Sequence, residues 1–480
     1  MAPTPASYQE TYEVPDPSSQ VTVAPGDSPD ARVPQDEDKD LDRVPGNPPS
    51  TDPASEPRTA AIQRIYLENS ATKGTARGGL LVPPPTPDEA ALQGQLFLDV
   101  RRAWRLADKL NLTLSDRFTL RAERGLPFPS HENLVNDWRE GYLSWEAMDE
   151  LFLDFGRINL KSGVALGFNP TDFFKTRSVV EPLSSDPTVL REDRLGSVMA
   201  RAQRVWAKGA LMMVFAPALH AATPVYRNNT LKSFDPSLDR TNEHNRTLVK
   251  GNVELIDHWA PEFLIYRDGS QTALGVNATQ SLGQRAIGYL EWAGGKRSSL
   301  LYEGLSYGRK TGTLPPNGAN TLPIDSTIRF RSDLALGASY TTDSKVTLNL
   351  EYHYSQSGFS AGDWKNWFDA GPSQTGGSFV PAQLWYIRAY ALEQQHPVSR
   401  HYIFLRADRT DAFVRNLEIT GFVNTNARDA SAWAQVTAEY YLSNEWTIGG
   451  LVMASLGGRR SEFGSEAEVG TLLFKLARYF

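Results

Sequence analysis

Apolar and polar residues alternate with a period of two over much of the chain after about residue 90. In 346–355 the even positions are valine, leucine or tyrosine, and the odd positions are threonine, asparagine, glutamate, histidine or serine. Side chains of a strand point alternately to opposite faces of a sheet, so this pattern predicts strands with one apolar and one polar face. The run 92–104 exceeds the ~5–6 residues of a typical globular strand. It is long enough for a tilted membrane strand, which needs about 9–11 residues.

The predicted strands are paired in hairpins with short turns. These turns are expected at 107–110, 146–149, 207–209, 341–344 and 443–445. Aromatic residues lie beside them, namely Trp104, Trp145, Trp206, Tyr340, Tyr440 and Trp446. Indole and phenol rings favour the boundary between membrane and water, so the pattern predicts an aromatic girdle at one rim.

Longer connections separate the hairpins. They are expected at 125–134, 163–195, 220–258, 308–327 and 358–399, with a helix at 382–395 inside the last one. Short turns on one side of a sheet and long loops on the other are typical of outer-membrane barrels, whose short turns face the periplasm.

Strand counting favours 18 strands, with 16 as the alternative. Seventeen strand starts can be recognised, including one near residue 297, and 61–68 supplies the eighteenth. The region 246–270 is the hardest to assign. No run of ~20 apolar residues predicts a membrane helix, and the absence of cysteine excludes disulfides and thiolate metal sites. The expected fold is all-β: a closed antiparallel transmembrane β-barrel over 59–480, surrounded by the lipid of a bacterial outer membrane.

Residues 1–58 differ from the rest of the chain. They hold 12 of the 31 prolines, and 12 acidic residues against 4 basic ones, in a chain whose net charge is −7. This composition predicts a disordered tail, either passive or binding a periplasmic protein. No basic face predicts nucleic-acid binding. The N-terminus lacks a signal peptide. Because outer-membrane proteins are exported, we expect a mature chain with an added initiator Met.

In such a barrel the polar residues of the alternating pattern face the lumen. The charged residues expected to line it are Asp99, Arg101, Arg117, Arg121, Arg201, Arg329, Arg331, Asp333, Glu351, Arg406 and Glu439. Across all predicted lumen positions acids and bases are balanced, so no strong net field is expected. Two interpretations stay open: a water-filled path with locally polarised patches, or ion pairs between neighbouring strands.

The connection 163–195 carries a second group of charged residues. They are Asp172, Arg191, Glu192, Asp193 and Arg194. Folded inward, this loop would constrict the channel; folded outward, its charges would form a solvated external surface. The aromatic stretch 359–368 would either stack on sugar rings or pack its own loop.

Catalysis has little support in the sequence. None of the seven histidines has a metal-binding spacing, and no Gly-x-Ser-x-Gly elbow is present. His353 shares a predicted lumen face with Glu351 and Ser355, but period-two spacing produces that coincidence easily. We expect no enzyme activity, no cofactor and no metal.

The last predicted strand ends at Phe480, with Leu472, Phe474 and Leu476 on the same face, while Arg478 departs from the pattern. This ending resembles the signal recognised by the outer-membrane assembly machinery, which is therefore an expected partner. Over 90–480 the order of features resembles porin-like barrels of Gram-negative outer membranes, around the alginate-export family. Short pieces at 169–172 and 190–196 add to the resemblance. That family has an arginine-rich lumen, whereas acids match the bases here.

The leading hypothesis is an outer-membrane channel for passive passage of a polar solute or for export of a polysaccharide. No TonB-type box is recognised in the tail, which disfavours active import. The alternatives are a structural or adhesive barrel, a sleeve for a periplasmic partner, and an outer-membrane hydrolase.

Overall fold

The computed structural model describes residues 64–82, 92–124, 134–180, 184–225, 235–256, 259–320, 322–370 and 379–480. The predicted tail 1–58 lies outside the described residues. None of the helices in the described ranges is long and apolar enough to cross a membrane.

Eighteen antiparallel strands form one closed sheet, in which each strand pairs with its neighbours in the chain and β1 pairs with β18. The strands are β1 Arg64–Ala76, β2 Leu92–Ala107, β3 Leu110–Arg124, β4 Leu134–Met148, β5 Leu151–Ile158, β6 Ser197–Trp206, β7 Gly209–Ala216, β8 Arg246–Val253, β9 Glu262–Asp268, β10 Gln271–Leu282, β11 Ala286–Arg297, β12 Arg329–Thr341, β13 Val346–Ser355, β14 His401–Arg409, β15 Leu417–Asn426, β16 Ala432–Tyr441, β17 Trp446–Leu456 and β18 Glu468–Tyr479. The predicted barrel and its 18 strands are confirmed.

The strand assignment was wrong at two places. The strand expected near residue 297 is the end of β11 followed by a helix, because the Ser299 hydroxyl caps that helix by accepting from the Tyr302 N–H. β8 lies inside the predicted loop 220–258. Its alternation is weak because Leu248 packs in the barrel interior while Val249 faces the outside. The two errors compensate, so the total stayed correct.

The outer face of the sheet is apolar. Outward side chains of every part of the ring are large, hydrophobic and exposed, for example Leu67, Leu98, Phe155, Phe215, Ile265, Leu274, Leu336, Leu350, Leu405, Val436, Val452 and Phe474. A soluble protein rarely exposes apolar patches of more than a few hundred Å². Such an apolar belt fits a lipid environment.

The aromatic girdle is present at the end of the barrel with the short turns. Trp145, Trp206, Tyr340, Tyr440 and Trp446 are exposed and lie next to those turns. Both chain ends of the barrel meet at this rim, where the Phe480 N–H donates to the Ile65 carbonyl at 2.9 Å. We call this rim the periplasmic rim, and the opposite one the external rim.

The C-terminal strand has the predicted alternation, with Leu472, Phe474 and Leu476 exposed on the outer face. Arg478 interrupts it at the rim, where its guanidinium lies 4.9 Å from the ring centroid of Phe480 and 3.7 Å from the Glu445 carboxylate. A rim position keeps this charge near water. Recognition of the strand by the assembly machinery stays a prediction.

In the described ranges, five α-helices lie in the connections that leave the barrel at the external rim. They are α1 Pro187–Glu192, α2 Leu238–Thr241, α3 Leu300–Lys310, α4 Ala361–Ala370 and α5 Phe379–Glu393. The helix expected at 382–395 corresponds to α5. Helices α3, α4 and α5 share one hydrophobic core, built around Trp364, Trp367, Leu305, Leu384 and Ile387, all buried. We call this cluster of helices the cap.

Candidate functional site

The connection between β5 and β6, residues 159–196, folds into the barrel; we call it the inner loop. Its far end reaches β14 and β16, where the Ser185 N–H donates to Gln435 Oε1 at 2.8 Å and Asp186 lies 3.6 Å from Arg406. In a ring of 18 strands, β14 is nine strands away from β5. The inner loop therefore crosses the lumen from one wall to the opposite one.

Two wall carboxylates hold the backbone of the inner loop. Glu291 of β11 accepts from the N–H groups of Val164 and Ala165, and Glu351 of β13 accepts from Leu166 at 2.6 Å and the next residue at 2.9 Å. Both carboxylates are buried. Charge-assisted hydrogen bonds of this kind are about twice as strong as neutral ones. Four consecutive N–H groups are thus bound to the wall.

A glycine makes this close approach sterically feasible. Gly163 has φ +82°, a conformation that L side chains rarely adopt. A Cβ at this position would collide with the Glu291 carboxylate. The local sequence therefore sets both the bend and the distance at which the loop meets β11.

A second contact with the wall is an ionic network of four residues. Arg117 of β3 and Arg139 of β4 each bind both Asp99 of β2 and Asp193 of the inner loop, with N···O distances of 2.7–2.9 Å. Asp99 is fully buried, and Asp193 keeps 22% of its side chain exposed. Alternating charges in a square satisfy one another, which offsets the cost of removing them from water.

The remaining predicted loop charges hold the inner loop together internally. Arg194 binds Asp172 at 2.8 Å, and both are buried. Arg191 donates to the carbonyls of Ser162 and Gly163 at 3.0 and 3.1 Å. Glu192 pairs with Lys161. Of the two interpretations of this loop, the inward fold is the one observed; that it constricts a channel remains a proposal.

One side of the interior is apolar, and the inner loop packs against it. Phe174 of the loop joins a buried cluster with Met199, Val214, Leu248 and Leu264 of β6–β9. Phe173 stacks on Tyr266 with ring centroids 4.4 Å apart. This packing explains why several inward positions of β7–β9, such as Val214, Leu248 and Leu264, are apolar, contrary to the simple alternation.

The predicted lumen residues with described side chains lie on the inner face of the sheet. Five of them pair with other residues of the wall or its rim: Arg101 with Glu140 at 3.3 Å, Arg201 with Asp154 at 2.6 Å, Asp333 with Arg297 at 2.6 Å, Arg406 with Asp408 at 2.6 Å, and Glu439 with Lys475. Arg329 and Arg331 both bind Asp325, at 2.7 and 3.1 Å, near the external rim. Arg121 belongs to β3, but its side chain is outside the described residues. Pairing of charges along the inner wall, within one strand or between strands one or two apart, is therefore extensive.

Sequence reasoning missed Glu291, Arg139 and Arg297, which are as central as the predicted residues. Arg139 lies at an irregularity of the β3–β4 register, so counting by twos from its neighbours assigns it to the wrong face. Glu291 and Arg297 belong to β11, whose many glycines and alanines blur the alternating pattern.

The histidine considered for hydrolysis is packed in the interior. His353 Nε2 lies 2.6 Å from a carboxylate oxygen of Glu351, and its ring lies 5.9 Å from that of Phe168 and 6.0 Å from that of Phe404. It is buried. Its carboxylate partner also holds the inner loop, so this pair serves the loop contact. Across the described ranges no cluster of His, Asp or Glu fits a metal ion.

The inner loop also contains a buried amine. Burial lowers the pKa of the Lys175 ammonium to about 8. Its Nζ donates to the Asn169 carbonyl at 2.6 Å and lies 4.4 Å from the centroid of the Phe168 ring. Arg177 connects the inner loop to the cap by two hydrogen bonds. Its guanidinium donates to the Tyr307 hydroxyl at 2.6 Å, and its backbone N–H donates to the Glu393 carbonyl at 2.7 Å.

An even-stranded closed sheet, an apolar outer belt, an aromatic girdle and a charged inner face make the chain a bacterial outer-membrane β-barrel. No protein-family model and no curated protein matches the chain.

Solved structures of porins match it at low similarity. OccAB4 of Acinetobacter baumannii is 9% identical, with a TM-score of 0.44, covering 88% of this chain and 99% of that one. OccK3 of Pseudomonas aeruginosa is 12% identical, with a TM-score of 0.43, covering 87% and 96%. OmpF of Salmonella typhi, in complex with daunomycin, is 9% identical, with a TM-score of 0.39, covering 87% and 97%. Values this low leave the functional inference to the chain's own geometry.

Proposed function

We propose that the protein is an outer-membrane channel for the passive passage of small polar solutes, with its width set by the inner loop. The observation that carries the proposal is the course of the inner loop, which crosses a closed barrel and is bound to opposite walls, by Arg139 of β4 and by Glu351 of β13. A loop held in this way restricts the lumen at one level and leaves the wall strands unchanged.

The chemistry of the inner face supports a polar solute without strong charge selection. Among the described side chains, ion pairs such as Arg201 with Asp154 leave no ring of one sign, and rings of one sign are what select ions. Hydroxyl, amide and carboxylate groups on the same face offer hydrogen bonds to a hydrated solute.

The same loop disfavours export of a polysaccharide. A polymer occupies the narrowest level until its whole length has passed, whereas a small solute occupies it only briefly. The buried contacts of Asp99 and Glu291 would have to open for the duration of each export event. The resemblance to alginate-export proteins therefore stays an expectation about the architecture.

A closed barrel that displays the cap is the second candidate, because the cap has its own hydrophobic core around Trp364 and Trp367 at the external rim. In that case the barrel would be an anchor, and little current would flow. Neither candidate includes a catalytic step.

Conductance of the purified protein in planar bilayers tests the proposal. We expect stable openings for the wild type, and larger or additional openings for the double variant Glu291→Gln, Glu351→Gln, which loosens the inner loop. The control is Glu439→Gln, since Glu439 faces the lumen and pairs with Lys475 of the wall. Folding of each variant is checked by its shift in gel mobility on heating. Folded wild-type protein that never conducts would refute the channel and favour the anchor.

A further inference from the structure

The external connections differ in length, and the one between β9 and β10 is very short. β9 and β10 are joined by two residues, Gly269 and Ser270, whereas the neighbouring connections 217–245 and 298–328 are long. Membrane lipid can therefore approach the strand ends closely here. A cavity of about 530 Å³ lies at this place, lined by His244, Thr247 and Arg267 among others.

Cations and hydroxyls form a row on the outer face beside this cavity. Arg267 of β9 pairs with Thr272 of β10 and with Thr247 of β8. One residue beyond the pair Ala273–Gly295, β11 carries Lys296 next to Thr272. All four of these polar side chains are exposed. With neighbouring strands ~4.8 Å apart, the backbones of Arg267 and Lys296 are about 10 Å apart.

The row lies at the height of the lipid headgroups. Lys296 is ten residues from Ala286, where β11 begins at the periplasmic rim. At ~3.3 Å per residue and a tilt of ~40°, this distance spans about 25 Å of membrane, the height of the apolar band of such barrels. Directly below the row, Ile265 pairs with Leu274, and both are exposed to the acyl chains.

We propose that this part of the external rim, comprising Arg267, Lys296, Thr272 and the cavity at His244, binds the phosphorylated headgroup of an outer-leaflet lipid. Two long cationic side chains at this separation can contact one phosphate from both sides, with the threonine hydroxyl between them. The apolar outer face below then packs the acyl chains of the same molecule. Such a lipid is already present in the outer leaflet that surrounds this rim of the barrel.

One carboxylate that lines the cavity would repel an anion, but its charge is compensated by an arginine on the side away from the cavity. Glu243 also lines the cavity, but its carboxylate lies 3.3 Å from Arg177 and accepts from the Tyr307 hydroxyl at 3.0 Å. His244 lies 3.6 Å from Glu243 and 3.4 Å from Asp268. The groups that face the lipid are therefore mainly Arg267 and Lys296.

Native mass spectrometry of the full chain in detergent, titrated with bis-phosphorylated lipid A, measures this binding. We expect the double variant Arg267→Gln, Lys296→Gln to lose about tenfold or more in affinity, since hydrogen bonds to charged groups carry most of the recognition. The matched control is Lys73→Gln, an exposed cation at the external end of β1, on the opposite side of the ring.

Each outcome decides the matter. Equal binding by the wild type and the double variant, or an equal loss in the Lys73→Gln control, would overturn the site. Lipid A without phosphates should bind as weakly as the double variant does, and tight binding of that lipid would reject the phosphate contact. Displacement by millimolar inorganic phosphate would show a general anion site and reject the lipid. The test does not depend on whether the barrel conducts.

Discussion

Replacement of Asp193 by asparagine tests whether the ionic network fixes the inner loop. Asp193 accepts from Arg139 at 2.8 Å and from Arg117 at 2.9 Å. Each charge-assisted bond contributes about 1.5–3 kcal/mol. Because 22% of the side chain stays exposed and water replaces part of the loss, we expect a total cost of about 2–3 kcal/mol for docking of the loop.

Asp99→Asn should cost more, although Asp99 binds the same two arginines. It is fully buried on the wall, so water cannot reach the uncompensated guanidinium groups, and breaking a buried pair costs about 3–5 kcal/mol. The control is Glu192→Gln in the same loop, whose ion pair with Lys161 is part-exposed and is expected to contribute at most ~1 kcal/mol.

Hydrogen–deuterium exchange of the inner loop measures these effects. With ~1.4 kcal/mol per factor of ten, Asp193→Asn should speed exchange in 184–196 by roughly 30- to 150-fold, with little change in the strands. Strand exchange that rises with loop exchange, or an effect of Glu192→Gln equal to that of Asp193→Asn, would refute the assignment of docking energy to this network.

Three further predictions concern the cap and the outer face. Glu462 contacts the cap: its carbonyl accepts from Arg388 of α5 at 3.1 Å, and its carboxyl accepts from the Ser399 hydroxyl, which itself accepts from the Trp364 indole N–H. Burial raises the pKa of the Glu462 carboxyl from 4.5 to about 7, so the folded state holds a proton that the opened state releases over this pH range. Attachment of the cap should therefore weaken by about 3 kcal/mol as pH rises from 4.5 to 7, and exchange of α5 should lose this pH dependence in Glu462→Gln. Trp364→Ala removes a fully buried indole and should cost about 3–5 kcal/mol, against less for Trp364→Phe, with protease sensitivity appearing in the cap and the barrel band on gels unchanged. Leu350→Arg places a charge on the exposed outer face and should lower folding stability in lipid vesicles by about 2–4 kcal/mol, while Leu350→Val should change it by less than half as much.

The architecture could be predicted from the sequence because lipid and lumen impose opposite demands on alternate residues. The strand 346–355 follows this rule at every position, and its outward and inward side chains are those expected. The rule fails where the lumen is filled by protein. Val214 of β7 and Leu248 of β8 face inward onto Phe174 of the inner loop, so apolar side chains occupy both faces of the sheet at this place.

The interior contacts were less predictable. Asp193 and Arg117 could be named as candidates because their charges are conspicuous in the sequence, but their mutual contact depends on how far a loop of nearly forty residues bends. Arg139 was missed because the register is irregular beside it. The backbone N–H groups of 164–167, which carry the contacts with Glu291 and Glu351, have no sequence signal at all.

The pairing of β1 with β18 has a consequence for how the barrel assembles. Tyr66 lies opposite Tyr479, so the seam joins the first and the last strand of the barrel, and the ring cannot close until both strands are in place. Until then two unpaired strand edges face hydrocarbon, where every bare backbone group is costly. We expect β1 and β18 to pair last. A chain shortened before Phe474 should remain an open sheet that depends on a chaperone or an insertase to shield its edges.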